Sequence, residues 1–301
     1  MSTEEPATKR PKCEEKEEDE TATATTQSGE RPARFQRPAA VKPYFRIHAH
    51  TNPLADKALE YPVRPSAMDW RKVYPAYEGA VLPPVEVVDI GCAWGGLAIA
   101  LGALLPTQLV LGLEIRERVV GYTRKRLALL QAGYGDRTKI PETEGAADDG
   151  AVDVRALGPP TEAPRARNVA CLLCNCMKNL PNFFAEASLQ KMFFCFPDPQ
   201  FKKCKQRRRI INPMLLAEYA YVLADGGILY TITDVHALHE WMAQCCDAHP
   251  LFRRLSDEEC ARDPCVALMF TATEEAQKVD RNKGHKYAAV YQRIPRASTH
   301  H

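Results

Sequence analysis

The stretch Val85-Glu86-Val87-Val88-Asp89-Ile90-Gly91-Cys92-Ala93-Trp94-Gly95-Gly96 changes character halfway along. Four of its first six residues are Val or Ile, a composition typical of a buried strand. The second half consists mostly of small residues, three of them glycines, so it predicts a tight turn. The apolar run at residues 97–105 predicts a helix that packs on a sheet. The chain is therefore expected to run from a strand through a glycine-rich turn into a helix.

A second strand and helix are predicted at residues 109–115 and 116–131, and this strand carries an acid, Glu114, near its end. An acid about 20 residues beyond a glycine turn can accept hydrogen bonds from ribose hydroxyls. Ala93 stands at the second glycine of the dinucleotide pattern G-x-G-x-x-G, so the turn departs from that pattern. Asp89-Ile90-Gly91 instead resembles the turn of S-adenosylmethionine-dependent methyltransferases. We predict a nucleoside-containing ligand, with a turn built only for packing as the alternative.

Strands and helices continue to alternate along the chain. Further strands are predicted at residues 168–174, 192–196 and 228–234, and a short helix at 68–77. Asn212 and Pro213 are typical of an N-cap and first helical residue, and residues 225–227 predict a turn before the next strand. This alternation predicts an α/β fold with a mostly parallel sheet and helices on both faces.

A carboxylate between two prolines follows the strand at 192–196, in Phe196-Pro197-Asp198-Pro199. Each proline fixes φ and removes a backbone donor, so the strand must end there and Asp198 is expected on a stiff turn. Residues 202–209 then hold six cations and no acid, and we call these cations the basic cluster: Lys202, Lys203, Lys205, Arg207, Arg208 and Arg209. A stiffly held acid beside a positive patch favours chemistry on a nucleic acid. The alternative is a strand followed by a solvated basic turn.

The 301 residues allow one domain of ordinary core size with extensions. Net charge is +2, but residues 1–20 hold eight acids against four Lys or Arg, so the remainder is basic. Eleven cysteines without a secretory signal favour reduced thiols in a cytosolic or nuclear protein. No apolar run approaches the roughly 18–20 residues of a membrane span, and no membrane segment is predicted. Residues 9–12 (Lys-Arg-Pro-Lys) are either a nuclear import signal or a solvated charge run.

Two segments lack the apolar residues needed for a core and are predicted to be disordered: the tail at 1–40 and an insertion at 133–167. From residue 44 the chain becomes aromatic and basic, and we expect an arm that packs on the core or contacts a ligand. Neither the pair His48 and His50 nor the group Cys171, Cys174 and Cys176 has partners at zinc spacing, so no metal site is predicted.

From residue 44 to 293 the chain resembles the tRNA (guanine-N7)-methyltransferases, and specifically their eukaryotic catalytic subunits. The order and spacing of many short pieces carry this resemblance. They are His48-Ala49-His50-Thr51-Asn52-Pro53-Leu54-Ala55-Asp56, Asp89-Ile90-Gly91-Cys92, Leu111-Gly112-Leu113-Glu114-Ile115-Arg116, Leu180-Pro181-Asn182-Phe183-Phe184, Phe196-Pro197-Asp198-Pro199, Leu215-Leu216-Ala217-Glu218-Tyr219, Thr231-Ile232-Thr233-Asp234 and Thr273-Glu274-Glu275.

The resemblance implies a Rossmann-like class I methyltransferase fold with a seven-stranded sheet at residues 41–296, followed by a short tail at 297–301. It implies transfer of a methyl group from S-adenosyl-L-methionine to N7 of the guanine at position 46, in the variable loop of tRNA. It also implies a heterodimer with a WD-repeat β-propeller subunit and a location in the nucleus.

The resemblance also implies roles for particular residues. Asp198 is expected at the catalytic centre. Phosphate contacts are expected from Arg46 and from the basic cluster. Cofactor contacts are expected at Gly91, Glu114, Ile115, Arg116, Asn175, Cys176, Cys195, Thr273, Glu274 and Glu275. The chain departs from the family at Ala93, at Cys176 and Cys195, and in the length of the insertion.

Two other functions are compatible with parts of the pattern. A methyltransferase for a protein or a small molecule would need no basic cluster and would act without RNA. A non-catalytic RNA-binding subunit on this fold would lack an intact cofactor turn or the acid of the pocket, whereas Glu114 and Asp198 are both present.

Overall fold

A seven-stranded sheet forms the centre of the protein, for which a computed structural model describes residues 51–55, 59–136 and 157–295. Its spatial order is β3-β2-β1-β4-β5-β7-β6. The first five strands are parallel, and β7 lies antiparallel between β5 and β6. This confirms the Rossmann-like class I methyltransferase fold with a mostly parallel sheet. The strands are β1 (Val85–Ile90), β2 (Leu109–Glu114), β3 (Val169–Leu173), β4 (Leu189–Cys195), β5 (Leu223–Thr233), β6 (Phe252–Arg254) and β7 (Tyr287–Arg293).

Helices cover both faces of the sheet, as predicted. Buried residues of α4, α5 and α6 pack on one face, and those of α2, α3 and α8 pack on the other. The helices are α1 (Trp70–Val73), α2 (Gly96–Leu104), α3 (Glu117–Gln131), α4 (Cys176–Phe183), α5 (Pro213–Val222), α6 (His236–Asp247), α7 (Asp257–Arg262), α8 (Pro264–Thr271) and α9 (Glu274–Arg281). Short 3-10 helices occur at Pro65–Ala67 and Lys203–Arg208.

Successive side chains of the central strands pack alternately into the two cores, because side chains of a strand point to opposite faces of the sheet. In β4, the Phe193 ring stacks on Tyr230 with 4.1 Å between centroids. The next residue, Phe194, lies in the opposite core with its ring 4.9 Å from that of Tyr219. Because both faces are buried, the strand is continuously apolar here, as the sequence predicted.

Several local predictions hold and two need correction. Asn212 caps α5, and its side chain accepts hydrogen bonds from the backbone N–H groups of Met214 and Leu215. The helix predicted at 68–77 is only one turn, α1, because a residue before proline disfavours helical φ and ψ, and Pro75 follows Tyr74. Residues 225–227 lie within β5 rather than before it. Gly226 there has φ +81°, and the pairing register with β4 shifts, which defines a bulge.

The insertion predicted at 133–167 is described at its two ends, and both fold against α3. The Gly133 carbonyl accepts hydrogen bonds from the N–H groups of Thr161 and Glu162, and Arg165 N–H donates to the Leu130 carbonyl. The Tyr134 ring is buried. The prediction of disorder therefore fails at 133–136 and 157–167. It rested on the absence of a periodic apolar pattern, whereas these ends are held by backbone hydrogen bonds. Residues 137–156 lie outside the described residues.

Predictions for both termini also lie outside the described residues. They concern the tails at 1–40 and 297–301, the basic residues at 9–12, and Arg46. Within the described part of the chain, no helix is long and apolar enough to cross a membrane. The same part brings together no three His, Cys, Asp or Glu side chains that could hold a metal ion.

Candidate active site

A cavity of about 530 Å³ opens at the carboxyl ends of β1 to β4. The strand order reverses between β1 and β4, which is where open α/β sheets bind ligands. Twelve of the predicted site residues line this cavity. They are Gly91, Glu114, Ile115, Arg116, Asn175, Cys176, Cys195, Asp198, Arg208, Thr273, Glu274 and Glu275.

The glycine turn after β1 leaves its backbone open to the cavity. Gly91 has φ +76°, and a Cβ built on it would meet no atom within 4 Å. Its N–H donates to the Leu113 carbonyl at 2.7 Å, which ties the turn to β2. At Gly96, a Cβ would lie 2.5 Å from the Ala272 carbonyl oxygen and 2.8 Å from the Glu274 carboxylate. Glycine is required there because the start of α2 packs directly against the segment that enters α9.

Glu114 ends β2 with a buried carboxylate that is fixed from several sides. Its Oε1 accepts the N–H groups of Ile115 (2.8 Å) and Arg116 (2.9 Å) and the Arg116 Nε (3.1 Å). Its Oε2 accepts only the Arg116 Nη2, at 2.8 Å, among the hydrogen bonds of the described residues. A carboxylate oxygen has two lone pairs, so Oε2 retains an acceptor site for a ligand hydroxyl.

Asp89 is a cavity residue that the sequence analysis did not assign to the site. Its side chain is buried, and none of the hydrogen bonds between described residues involves its carboxyl. Burial, together with the negative charges of Glu274 and Glu114, raises the pKa of Asp89 to about 8. A cationic group of a ligand would relieve this unfavourable environment. The acid directly before the glycine turn was the available sequence signal.

Asn175 joins the cavity to the segment at residues 51–55. Its side chain caps α4 by accepting the Met177 N–H at 3.1 Å, and its amide donates to the Pro53 carbonyl at 2.7 Å. Thr51 and Pro53 line the cavity. The described part of the predicted arm therefore packs on the core beside the site.

The start of α9 is tied to the glycine turn by Arg126. One guanidinium nitrogen, Nη1, donates to Glu274 Oε1 and to the Trp94 carbonyl, both at 2.7 Å. Another, Nε, pairs with Asp136 at 2.6 Å. Thr273 caps α9 by accepting the Ala276 N–H at 2.9 Å. Two acids of the cavity, Glu274 and Glu275, thus lie in the first turn of this helix.

The turn that carries Asp198 is bracketed by two non-glycine residues with positive φ, Phe196 (+50°) and Gln200 (+47°). The Phe196 N–H donates to the Ile232 carbonyl at 2.8 Å, which anchors the turn on β5. Asp198 Oδ1 accepts the Gln200 N–H at 3.1 Å, and Oδ2 accepts the Gln200 Nε2 at 2.7 Å. The acid is stiffly held, as the two prolines predicted. The contribution of Gln200 was not anticipated.

The basic cluster divides into three environments. Arg208 lines the cavity, and its buried Nε has no hydrogen-bond partner among the described residues. Arg209 is buried, donates to the Pro199 carbonyl at 3.0 Å, and lies 5.0 Å above the Trp241 ring. This burial lowers the pKa of Arg209. The Arg209 guanidinium is thus enclosed and anchors the Asp198 turn, and its phosphate contact stays a prediction.

The remaining four residues of the basic cluster, which we call the outer cations, lie away from the cavity lining. Three of them are exposed and Lys205 is half-buried. None of them forms an ion pair with another described residue. The outer cations are Lys202, Lys203, Lys205 and Arg207.

Three cysteines of the cavity, Cys92, Cys176 and Cys195, are neutral thiols. Cys92 lies 3.7 Å from Cys171 and Cys176 lies 4.0 Å from Cys174, measured between sulfur atoms. Donation of the thiol hydrogen to the neighbouring sulfur, together with burial, raises the pKa of Cys92 and of Cys176. Burial likewise raises the pKa of Cys195. Because the thiolate is the nucleophilic form, these side chains contribute bulk and backbone contacts rather than covalent chemistry at neutral pH.

Residues 84–289 match the family model described as "Putative methyltransferase". The tRNA (guanine-N(7)-)-methyltransferase of Lodderomyces elongisporus is 48% identical over 254 residues, which cover 84% of this chain and 75% of the relative. That of Schizosaccharomyces pombe is 46% identical over 255 residues, covering 85% of both chains. Among solved structures, the 16S rRNA methyltransferase KamB is 14% identical with a TM-score of 0.42, covering 75% of this chain and 93% of that one. On the match to the family model and to these relatives, the chain belongs to the tRNA (guanine-N(7)-)-methyltransferase family.

Proposed function

We propose that the protein transfers a methyl group from S-adenosyl-L-methionine to N7 of a guanine in tRNA, and that this guanine is the one at position 46 in the variable loop. The observation that carries the proposal is that Asp198 and the glycine turn at Gly91 line one cavity. The names of the relatives support tRNA as the substrate and guanine N7 as the acceptor.

The residues around the glycine turn suit the cofactor. The open face of Gly91 allows close approach, and Glu114 Oε2 retains an acceptor site for a ribose hydroxyl. Asp89 and Glu274 provide negative charge for the ammonium and sulfonium of the methionine part. When bound, the cofactor supplies an electrophilic methyl group.

Guanine N7 attacks with an unprotonated lone pair, so the protein need not remove a proton from the acceptor atom. Catalysis then rests on alignment of the base and on electrostatic stabilisation as positive charge develops on the purine. The Asp198 carboxylate can accept hydrogen bonds from guanine N1–H and the 2-amino group. In this way it orients the base and stabilises the cationic product.

Affinity for tRNA would come from phosphate contacts, which carry no base information. The four outer cations suit this role because no described acid neutralises them. Arg208 suits it as well, since it lines the cavity. We further propose that Arg46 joins these contacts, that a WD-repeat β-propeller subunit helps to hold the tRNA, and that the complex acts in the nucleus.

A single reaction tests the proposal. Purified protein, with and without a propeller subunit, is given labelled cofactor and unmodified tRNA, and the methylated base is mapped by chemical cleavage. The matched control is the same tRNA with adenine in place of guanine at position 46. We expect label at N7 of that guanine and none in the control. Label on both tRNAs would contradict the position, and no label on either would contradict the activity.

A further inference from the structure

Two hydrogen bonds join Gln200 to the Asp198 carboxylate. The backbone N–H of Gln200 reaches Oδ1 at 3.1 Å, and its side-chain Nε2 reaches Oδ2 at 2.7 Å. Gln200 also lines the cavity itself. Both oxygens of the acid are thus held by one residue two positions further along the chain.

The backbone of the turn is fixed independently of the Gln200 side chain. Phe196 N–H bonds to β5, and the Pro199 carbonyl accepts the buried Arg209 guanidinium at 3.0 Å. Arg209 lies in turn on the Trp241 ring, whose Nε1 donates to the Ile211 carbonyl at 2.9 Å. These contacts hold the main chain. Rotation of the Asp198 carboxylate about its last bond is restrained by the side chain of Gln200.

We propose that Gln200 is a positioning residue that fixes the plane of the Asp198 carboxylate for guanine, an inference that rests on the proposed function. Because Gln200 donates to both carboxylate oxygens, it fixes the plane in which guanine N1–H and the 2-amino group would approach them as two parallel hydrogen bonds. Adenine has neither donor, so a fixed carboxylate favours guanine over adenine more strongly than a rotating one.

The backbone conformation supports a functional reason for this side chain. Gln200 has φ +47°, a region in which glycine is favoured and longer side chains are strained. Glycine and asparagine adopt this region most readily. Residues with strain of this kind cluster at active sites, and Gln200 lines the cavity.

The conformation also makes the inference testable, because stability and function should respond in opposite directions. In Gln200→Gly the backbone bond to Oδ1 is kept, the strain is removed and the side-chain bond to Oδ2 is lost. We expect a melting temperature no lower than that of the wild type, with kcat on tRNA reduced about tenfold or more, since small misplacements of a reacting group cost up to about 100-fold. Cofactor affinity, measured by calorimetry, should stay within about twofold.

Two further variants complete the test. Gln200→Leu keeps the bulk without the donor and should show the same loss of kcat. Gln206→Leu changes a glutamine of the neighbouring 3-10 helix that does not line the cavity, and it should match the wild type. In Gln200→Glu the new carboxyl can donate only when protonated, so its kcat relative to the wild type should be lower at pH 8 than at pH 6.

The outcomes separate the two proposals. Wild-type rates and an unchanged guanine preference in Gln200→Gly and Gln200→Leu would overturn the role of Gln200 and leave the proposed function standing. Loss of melting temperature or cofactor affinity in step with activity would also overturn it, since the residue would then be structural. A wild-type protein that leaves tRNA unmethylated would overturn both.

Discussion

Asp198 and Asp89 are two acids of one cavity with opposite surroundings. Asp198 accepts two hydrogen bonds from Gln200 and lies on a turn anchored to β5. Asp89 lies at the end of β1 without a hydrogen bond from any described residue, and its pKa is raised to about 8. The first arrangement suits a carboxylate that must keep one orientation towards a neutral base. The second suits an acid that becomes charged when a cation binds.

Replacing Asp198 by alanine should abolish turnover and leave cofactor binding intact. Asp198 follows β4, whereas the glycine turn follows β1, so the acid would contact the base rather than the cofactor. Its loss would remove alignment of the guanine and stabilisation of the positive charge on it. We expect kcat on tRNA to fall roughly 100-fold or more. Calorimetry should give a dissociation constant for S-adenosyl-L-homocysteine within about twofold of the wild type. An equal loss of cofactor affinity would show that Asp198 supports the cavity rather than the reaction.

Asp89 should make cofactor binding dependent on pH. Below pH 8 its carboxyl is protonated in the free protein, whereas a bound cation favours the carboxylate, so binding releases a proton. Relative to Asp89→Asn, affinity should rise by up to about tenfold per pH unit from pH 6 to 8 and then level off.

Asp89→Asn is the matched control for this dependence. The amino group of the cofactor titrates at about 7.7–8.0, and the variant shares this titration, so the difference between the two proteins isolates Asp89. Calorimetry in buffers of different ionisation enthalpy counts the protons released. Identical pH profiles for the two proteins would remove Asp89 from the cofactor site.

Individual site residues were predictable where a strand ends in an acid. Glu114 and Asp198 follow apolar runs, and their positions at the carboxyl edge come from the parallel sheet. Asp89 was overlooked because it lies within a strand, and its raised pKa depends partly on Glu274, which α9 brings from a distant part of the chain. The enclosure of Arg209 was not predictable, because it depends on Trp241 of α6, which is distant in sequence.

Among the elements, the glycine turn between β1 and α2 shows how one small substitution affects backbone strain. Ala93 replaces the glycine expected at this point of the turn and adopts φ +47°. A left-handed conformation costs a residue with a Cβ about 1–2 kcal/mol, and the greater freedom of glycine in the unfolded chain offsets part of this. Ala93→Gly should therefore stabilise the protein by about 0.5–1 kcal/mol in urea denaturation.

Gly91→Ala tests the same argument with the opposite sign. Gly91 has φ +76°, and an added Cβ would meet no protein atom within 4 Å, so only backbone strain should destabilise the ligand-free protein. The Cβ would point into the space proposed for the cofactor, so cofactor affinity should fall as well. Equal stabilities for wild type, Ala93→Gly and Gly91→Ala would contradict the role of φ in this turn.

The elements themselves were predictable where the apolar pattern was long. The bounds of β1, β2, α2 and α3 agree with the sequence pattern to within about a residue at each end. Elements with a short or weak pattern were not anticipated, such as β6 with three residues and α7 with six. Their formation depends on tertiary contacts: β6 is held by pairing with β7, and α7 begins with a capping box at Ser256.

Across the whole molecule, the distribution of cations bears on the proposed tRNA contact. The sequence shows six cations after Asp198, but it does not reveal which of them are buried and which are exposed. The structure encloses Arg209, places Arg208 in the cavity and leaves the outer cations without ion pairs to described residues. Some exposed cations elsewhere are paired with neighbouring acids, as Lys72 is with Asp69 and Arg262 with Glu258, whereas Arg281 and Lys283 form no ion pair with a described residue.

Replacing the outer cations with glutamine should weaken tRNA binding and make it less sensitive to salt. Each phosphate contact contributes about 0.7–0.9 to the slope of log affinity against log salt concentration, so four lost contacts should make the slope shallower by roughly 3. Filter binding between 50 and 200 mM salt measures this.

The matched control replaces four cations whose charge is already balanced by an ion pair, Lys72, Arg253, Arg254 and Arg262. Their exchange should leave the slope unchanged, because a cation already neutralised by an acid displaces few counterions from the tRNA phosphates. Equal slopes for both quadruple variants would place the tRNA on another surface, while cofactor affinity, unchanged in both, would show that the cavity itself is intact.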